Sequence, residues 1–317
     1  MMISQTRDGH FGPDVLTSDA SGEELPLDAL ATEERRLSVR ELKARLEPSC
    51  GHPRFRQRLL LLRGWATSSL SGFLDDGEIL HGEIELTLIC QPFAETSEQQ
   101  IAALVAAAAR GFLDQAEELL SRPQDPNLLS VDNVNSEAKT PLGMAVRSGH
   151  VGVVRLLLEA HADPNQGFGE QEESGWLHET PLSAAVCRND LATVRALLAA
   201  RADTNQEFDM SGMEKTALGE ACRSGLDDVV RELLAARANP RQCHYNWPHF
   251  DSPLMVAVRV GQLSIVRRLL EARATCHMDG LWRNSPVRVA LSMGHFEIAN
   301  MMGYVFDHVF TPNSSNP

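Results

Sequence analysis

The chain has 317 residues, of which 43% are hydrophobic, 23% charged and only 5% aromatic, with a formal net charge of −14. That is room for about two soluble domains, and the negative balance argues against nucleic acid or anionic membrane as partners, since both need a positive field. No apolar run suits a transmembrane helix, the opening MMISQTRDGH lacks a signal peptide's apolar stretch, and six scattered cysteines without a CxxC pair read as reduced thiols of a cytoplasmic or nuclear protein.

In chain order, residues 1–10 are expected to be a disordered tail. VLTSDASGEELPLDAL then reads as two short strands about the turn dipeptide Ser21–Gly22. LSVRELKARLEP (37–48) predicts an amphipathic helix, with Val39, Leu42 and Leu46 on one face and Pro48 after its end. RFRQRLLLLRG continues as a strand and LDDGEIL as a turn. GEIELTLIC closes as a strand with Ile84, Leu86 and Leu88 alternating inward.

This order, with V-x-x-L-K (Val39 to Lys43), G-x-P (Gly51 to Pro53), Q-R-L (Gln57 to Leu59) and L-D-D-G (Leu74 to Gly77), resembles ubiquitin over residues 11–91. WATSSLSGF (65–73) interrupts the resemblance, and the end ICQPF lacks the terminal Gly-Gly that conjugation requires. The resemblance implies a built-in module that binds partners through an apolar patch. Leu60, Leu62 and Trp65 are its candidates, with filling of the domain's own core as the competing role for each. Residues 92–97 form the linker, and Ser97 with Gln100 has the pattern of a capping box opening the next helix.

From Ile101 onward the chain repeats itself. TPLGMAVRSGHVGVVRLLLEAHADPN begins at Thr140, and close copies begin at Thr180, Thr216 and Ser252. A fainter copy begins at Ser285, and one without a head precedes them all at Ile101. Each unit predicts a helix capped by Thr or Ser with Pro at the first helical position, a tight turn, a second helix and a long loop. Gly149, Gly225, Gly261 and Gly294 stop the first helices in a left-handed conformation, with Asn189 as the substitute in the second copy. Ala145, Ala185, Ala221, Ala257 and Ala290 recur where neighbours pack too closely for a larger side chain. Val154, Val194, Val230, Val266 and the pairs Leu157–Leu158, Leu197–Leu198, Leu233–Leu234 and Leu269–Leu270 are the buried face of the second helices. One such helix pair cannot bury its apolar face alone, so the units must stack.

T-P-L on the first helix, V-x-x-L-L on the second and A-D-P-N (Ala162 to Asn165) at the turn resemble ankyrin repeats over residues 98–309, about six units with atypical ends. The expected fold is therefore an α-solenoid of ankyrin repeats preceded by a small α+β ubiquitin-like (β-grasp) domain, with residues 310–317 as a second tail. Two departures stand out. The family's His after T-P-L, which bonds the motif Thr, is replaced by Gly143, Ser183, Gly219, Met255 and Arg288, so that bond is expected to be missing throughout. The family's Gly at the end of the second helix is replaced by His161, Arg201, Arg237 and Arg273. These read either as cations complementing helix ends or as a ladder receiving an acidic partner.

Caps recur at spacings of 40, 36, 36 and 33 residues, from Thr140 through Thr180, Thr216 and Ser252 to Ser285. The family period is about 33, so the surplus lengthens the loops called fingers. Those loops carry Phe168, Trp176, Phe208, Tyr245, Trp247, Phe250 and Trp282, and loop aromatics are where binding energy concentrates. The competing role is that the rings fold back over their own first helices. Met144, Arg147, Glu220, Arg223, Val256 and Arg259 are the candidates for the concave face, beside Ala184 and Val289.

Cys243, His244, His249, Cys276 and His277 match no zinc-ligand spacing and are read as loop residues. Asn165 and Asn205 fit the acidic–x–Asn pattern that an asparagine hydroxylase accepts in the family. No catalytic or phosphate-binding motif is present, and no metal or cofactor is implied. The reading is a monomeric, non-catalytic adaptor for protein partners, whose ubiquitin-like head docks to degradation machinery. The alternative is a regulator of transcription or signalling in which the head is purely structural.

Overall fold

The structure, a computed structural model, describes residues 2–4, 37–66, 73–122, 124–132, 137–172, 175–176, 179–209, 214–242, 244–246, 249–274 and 285–305. Contacts divide the chain into two compact units, one of residues 1–104, 112–126 and 159–162, the other of residues 105–111, 127–158 and 163–317.

The first unit is built on β4 (Ile79–Cys90). One edge of β4 pairs antiparallel with β3 (Gln57–Ala66), from Gln57 opposite Cys90 to Ala66 opposite Leu80, with register shifts between Leu61 and Arg63 and between Arg63 and Trp65. The other edge takes β1 (Met2–Ser4) and β2 (Leu37–Ser38), both also antiparallel. The expected tail 1–10 thus contributes a strand, with Met2 opposite Thr87. The first hairpin expected within 11–36 lies outside the described residues. Helix, strand, turn and strand are in place, but every pairing among the described residues is antiparallel, and this part of the order is not by itself a β-grasp domain.

Helix α1 (Val39–Cys50) opens with a complete capping box between Ser38 and Glu41 and buries Val39, Leu42 and Leu46. It runs past Pro48, which the sequence reading placed beyond its end. It stops at Gly51 (φ 69°), whose N–H donates to Glu47 O at 2.8 Å. Leu59, Leu74, Leu80, Leu86 and Leu88 complete the apolar layer.

At its edge Arg54, only 1% exposed in its side chain, meets three carboxylates: Nη1 to Asp76 at 2.5 Å, Nη2 to Glu117 at 2.7 Å and Nε to Glu159 at 2.5 Å. The guanidinium also lies 3.9 Å over the Phe55 ring. Lys43 reaches Asp76 at 2.6 Å, and Arg40 reaches Glu117. Burial works to raise the Asp76 carboxyl, but Lys43 and Arg54 outweigh it and hold it below the ordinary aspartate value. Gln57, also buried, donates to Lys43 O at 2.9 Å and His52 O at 2.7 Å, tying α1 to the start of β3.

Helices α2 (Glu98–Arg110) and α3 (Leu113–Ser121) form the unit without a head. The Ser97–Gln100 capping box opens α2 as expected, with Ser97 N donating to Gln100 Oε1 at 2.9 Å. Four full helix pairs follow: α4 (Pro141–Ser148) with α5 (Val151–Glu159), α6 (Pro181–Cys187) with α7 (Leu191–Ala199), α8 (Ala217–Arg223) with α9 (Asp227–Ala235), and α10 (Pro253–Val260) with α11 (Leu263–Glu271). A last pair is α12 (Pro286–Ser292) with α13 (Phe296–Val305).

Every cap is made. Thr140, Thr180, Thr216, Ser252 and Ser285 each accept from the backbone N–H three residues on. Ala145, Ala185, Ala221, Ala257 and Ala290 are all 0% exposed, as close packing demands. So are Val154, Val194, Val230 and Val266, and Leu157, Leu197, Leu233 and Leu269. Burying each such leucine contributes about 1.5–3 kcal/mol. The second leucine of each pair (Leu158, Leu198, Leu234 and Leu270) is only half-buried, a correction to the expected pairwise burial.

At the family's His position Ser183 makes capping bonds within its own turn, distinct from the inter-turn bond expected to be missing. Its hydroxyl accepts from Thr180 N at 2.9 Å and donates to Thr180 O at 2.8 Å. Polar side chains also stitch successive turns. Asn127, Asn165 and Asn205 accept through Oδ1 from the N–H of Asp163, Asp203 and Asn239, each at 2.7 Å. Gln166, Gln206 and Gln242 donate back to Asn127 O, Asn165 O and Asn205 O. The two asparagines noted for hydroxylation are therefore rungs of a structural ladder.

His150 reaches Ala109 O and His295 reaches Arg259 O, both at 3.2 Å, linking each turn to the preceding helix end. Arg188 does the same to Arg147 O at 2.9 Å. His161, Arg201, Arg237 and Arg273 do adopt left-handed backbones (φ 58° to 67°), each at roughly 1 kcal/mol against a glycine. A cation at a helix C-terminus recovers about 0.3–1 kcal/mol of that.

Candidate protein-interaction surface

The fingers are β-hairpins. They pair β5 (Ser130–Asp132) with β6 (Glu137–Lys139), β7 (Gly169–Glu172) with β8 (Gly175–Trp176), β9 (Glu207–Asp209) with β10 (Glu214–Thr216), and β11 (His244–Asn246) with β12 (His249–Asp251). The first was not foreseen as a finger, because only loops after an A-D-x-N turn were counted. Two neighbouring fingers join edge to edge, Glu137 opposite Glu170 and Ala138 opposite Gly169, so β5 to β8 make one four-stranded sheet. The fourth expected loop, 278–284, lies outside the described residues.

Phe168 and Phe208, expected to meet a partner, are buried at 1% and 2% exposure. The Phe168 ring folds back over its own repeat. Phe168 exchanges both backbone hydrogen bonds with Glu179 at 3.0 and 2.9 Å, and its ring lies on Gly143, where an added Cβ would come within 2.3 Å of it. Gly143 therefore stands where the family has His because the ring needs that space. Trp176 sits in β8 opposite Gln171, and Tyr245 faces Phe250 across the β11–β12 hairpin. Trp247 and Trp282 lie outside the described residues, as do Cys243, Cys276 and His277.

The first helices bring a row of side chains to the finger stems. Seven residues after each cap stand Arg147, Cys187, Arg223, Arg259 and Ser292, all exposed or half-buried. Arg147 reaches Glu179 at 3.4 Å, at the stem of the second finger, and lies 5.2 Å over the Phe168 ring. In the row four residues after each cap, Met144 and Val256 are half-buried.

Glu220, expected on the binding face, is 4% exposed and turns its carboxylate to Arg223, with Nε at 3.0 Å and Nη2 at 2.5 Å, while Lys215 from β10 stands at 3.9 Å. It serves to hold Arg223, whose own pKa this hydrogen bond raises. Cys187 belongs to the same row, though the sequence reading passed over it. Loss of water around its thiol, with Glu220 and Glu179 adding, pushes its pKa up to about 11. It is a neutral thiol at physiological pH.

Of the ubiquitin-like patch, Leu60 is half-buried in β3, while Leu62 and Trp65 are placed in that strand by backbone alone. None of the three is among the described residues lining the cleft of this unit, where Lys43, Arg54, Asp76 and Glu117 are charges that pair with one another. Among the described residues there is no group of three or more His, Cys, Asp or Glu able to hold a metal, and no helix is long and apolar enough to cross a membrane.

A family model of three ankyrin repeats matches residues 79–168 and again 166–244, and a single-repeat model matches 249–279. The chain belongs to the ankyrin-repeat family. The first match begins inside the β3–β4 hairpin, upstream of the expected start at 98. No curated protein matches the chain. Among solved structures, an ankyrin repeat domain from Acinetobacter baumannii is 25% identical with a TM-score of 0.52, covering 63% of this chain and 96% of its own. The human ASB11 ankyrin repeat domain is also 25% identical, with a TM-score of 0.48, covering 68% of this chain and 88% of its own. Ankyrin repeats are in general protein–protein interaction modules and are typically non-catalytic.

Proposed function

We propose that this ankyrin-repeat protein is a non-catalytic adaptor that grips a protein partner along the row Arg147, Arg223 and Arg259, between its first helices and its finger hairpins. One observation carries this reading. Arg147 stands between a finger stem (Glu179) and a finger ring (Phe168), so row and fingers offer one continuous surface. Met144 and Val256 supply half-buried apolar contacts beside the cations, and the finger sequences that carry Trp176, Tyr245, Trp247, Phe250 and Trp282 are the candidates to extend it. An open row of this kind suits recognition, because catalysis needs a site that excludes water.

The finer version adds docking of the N-terminal unit to degradation machinery through Leu60, Leu62 and Trp65. Its support is the ubiquitin-like order of helix, strand, turn and strand, and a half-buried Leu60.

Affinity capture from the native cell with the full chain tests both. Arg147→Ala, Arg223→Ala and Arg259→Ala together should weaken the recovered partner's binding at least tenfold in a chain that stays folded, with a lower melting temperature because the buried Glu220 loses Arg223. Leu60→Ala should release proteasome or ligase subunits and leave that partner bound. Binding within twofold of wild type in the triple variant rules the row out. Capture without such subunits leaves the head a structural cap, as expected of a regulator of transcription or signalling.

A further inference from the structure

Among the described non-glycine residues only five have left-handed backbones, and three are arginines at one position of consecutive repeats: Arg201 (φ 64°), Arg237 (φ 67°) and Arg273 (φ 58°). The turn geometry demands this conformation. Their N–H groups donate to Leu198, Leu234 and Leu270 O, and the next residue's N–H donates to Leu197, Leu233 and Leu269 O. Glycine would meet that demand without strain, and strain held at a repeated surface position points to use of the side chain.

The side chains are free to be used. All three residues are exposed, and none makes an ion pair or side-chain hydrogen bond among the described residues. The helices that end there each pair one other arginine: Arg195 with Glu232, Arg231 with Asp228, and Arg268 with Asp227. A fourth guanidinium joins the row, because Arg241, also exposed, donates through Nε to Arg273 O at 3.0 Å. Acids thin out alongside. In sequence, the position of Asp163 and Asp203 is taken by Asn239 and Thr275 in the next two copies. Positive charge thus accumulates along one line of a protein whose net charge is −14.

We propose that Arg201, Arg237, Arg241 and Arg273 form a docking row for an extended acidic segment of a partner protein. Packed helices stand about 8–10 Å apart, and a segment in the extended polyproline II form rises about 3.1 Å per residue with three residues per turn, so every third side chain lies on one face. A carboxylate every third residue therefore meets one rung each. Guanidinium forks are the groups best fitted to take carboxylates in pairs of hydrogen bonds. Nucleic acid fits less well, since its affinity grows with the number of phosphates neutralised and the row offers four cations on an acidic protein. The inference is independent of the proposed first-helix row, because it uses the far ends of the second helices.

The test uses the full chain and a fluorescent nine-residue peptide with Glu at every third position, read by anisotropy at low and moderate salt. A control peptide of the same composition has its glutamates clustered. The variant is Arg201→Gly/Arg237→Gly/Arg273→Gly, which relaxes the backbone, so its melting temperature should equal or exceed that of wild type. Binding of the spaced peptide should weaken at least tenfold in the variant and lose most of its salt dependence. Arg147→Ala/Arg223→Ala/Arg259→Ala should leave this binding within twofold. The proposal is overturned if wild type does not bind the spaced peptide, or if the glycine variant binds it within twofold of wild type. Equal affinity of wild type for the clustered peptide, or for a single-stranded oligonucleotide of the same charge, overturns it too.

Discussion

The two units of this protein are held by different physics. The repeats rest on apolar positions that recur at a fixed place in each copy, with alanines, valines and leucines at zero exposure and an asparagine ladder between turns. The N-terminal unit has a smaller apolar layer and closes it with a buried guanidinium. Arg54 meets partners 22, 63 and 105 residues away in sequence. Local rules written many times give a core tolerant of change at any one rung. A single charged hub concentrates the cost of a change in one residue.

The largest effect should come from that hub. Arg54→Met leaves Asp76, Glu117 and Glu159 without their shared cation. Breaking a buried ion cluster costs about 3–5 kcal/mol, and the carboxylates, 27–38% exposed, place this case near the lower figure. Urea unfolding followed by hydrogen-exchange mass spectrometry of residues 39–90 would show it as an early transition. In the repeats, Gly143→Ala should cost about 1–3 kcal/mol, because the new Cβ would press on the Phe168 ring. Gly219→Ala, whose Cβ meets only Thr216 Oγ1 at 3.3 Å, should shift the melting curve by less than half as much.

Asn165→Ala removes one rung and leaves the Asp203 N–H without its acceptor, for about 1–2 kcal/mol in thermal unfolding. A loss as large as that of Arg54→Met would erase the contrast between distributed and concentrated stability.

Acid sharpens the same comparison. The Asp76 carboxyl lies below its unfolded value, so its contribution is fully present above about pH 4 and is lost as pH falls through the depressed folded value. Far-ultraviolet and fluorescence titrations should therefore show the N-terminal unit loosening in acid, with the loss reduced in Asp76→Asn.

The thiols report the smallest difference. A hydrogen bond from Cys90, against the opposing effect of burial, brings Cys50 down to about 7, whereas burial pushes Cys222 in α8 up to about 12. Iodoacetamide at pH 7.5 should alkylate Cys50 at least tenfold faster than Cys222, by peptide mass mapping. Equal rates would remove the distinction.

What could be read from the sequence follows the same division. Caps, turn glycines, the Asn189 substitution, the left-handed arginines and the close-packed alanines are local signals, each repeated, and the structure contains all of them. The fingers were legible as surplus length, but not as hairpins that pair with one another. Phe168 and Phe208 misled because an aromatic on a loop looks the same whether it faces a partner or its own helix. The signal lay in Gly143, an unexplained small residue where the family carries His. Glu220 misled because Met144 and Val256 in the same row are half-buried, while its own side chain is buried with its carboxylate taken by Arg223. Arg54 gave no signal at all, since RFRQR reads only as the start of a strand, and the carboxylates that surround it come from distant segments.

Amide hydrogen exchange on the full chain, wild type beside Arg54→Met, tests the account most directly. Protection should fall across residues 39–90 and 113–121 and remain unchanged in helices α6 to α11. An even loss of protection across both units, or none in the first, would contradict a protein built on two separate principles of stability.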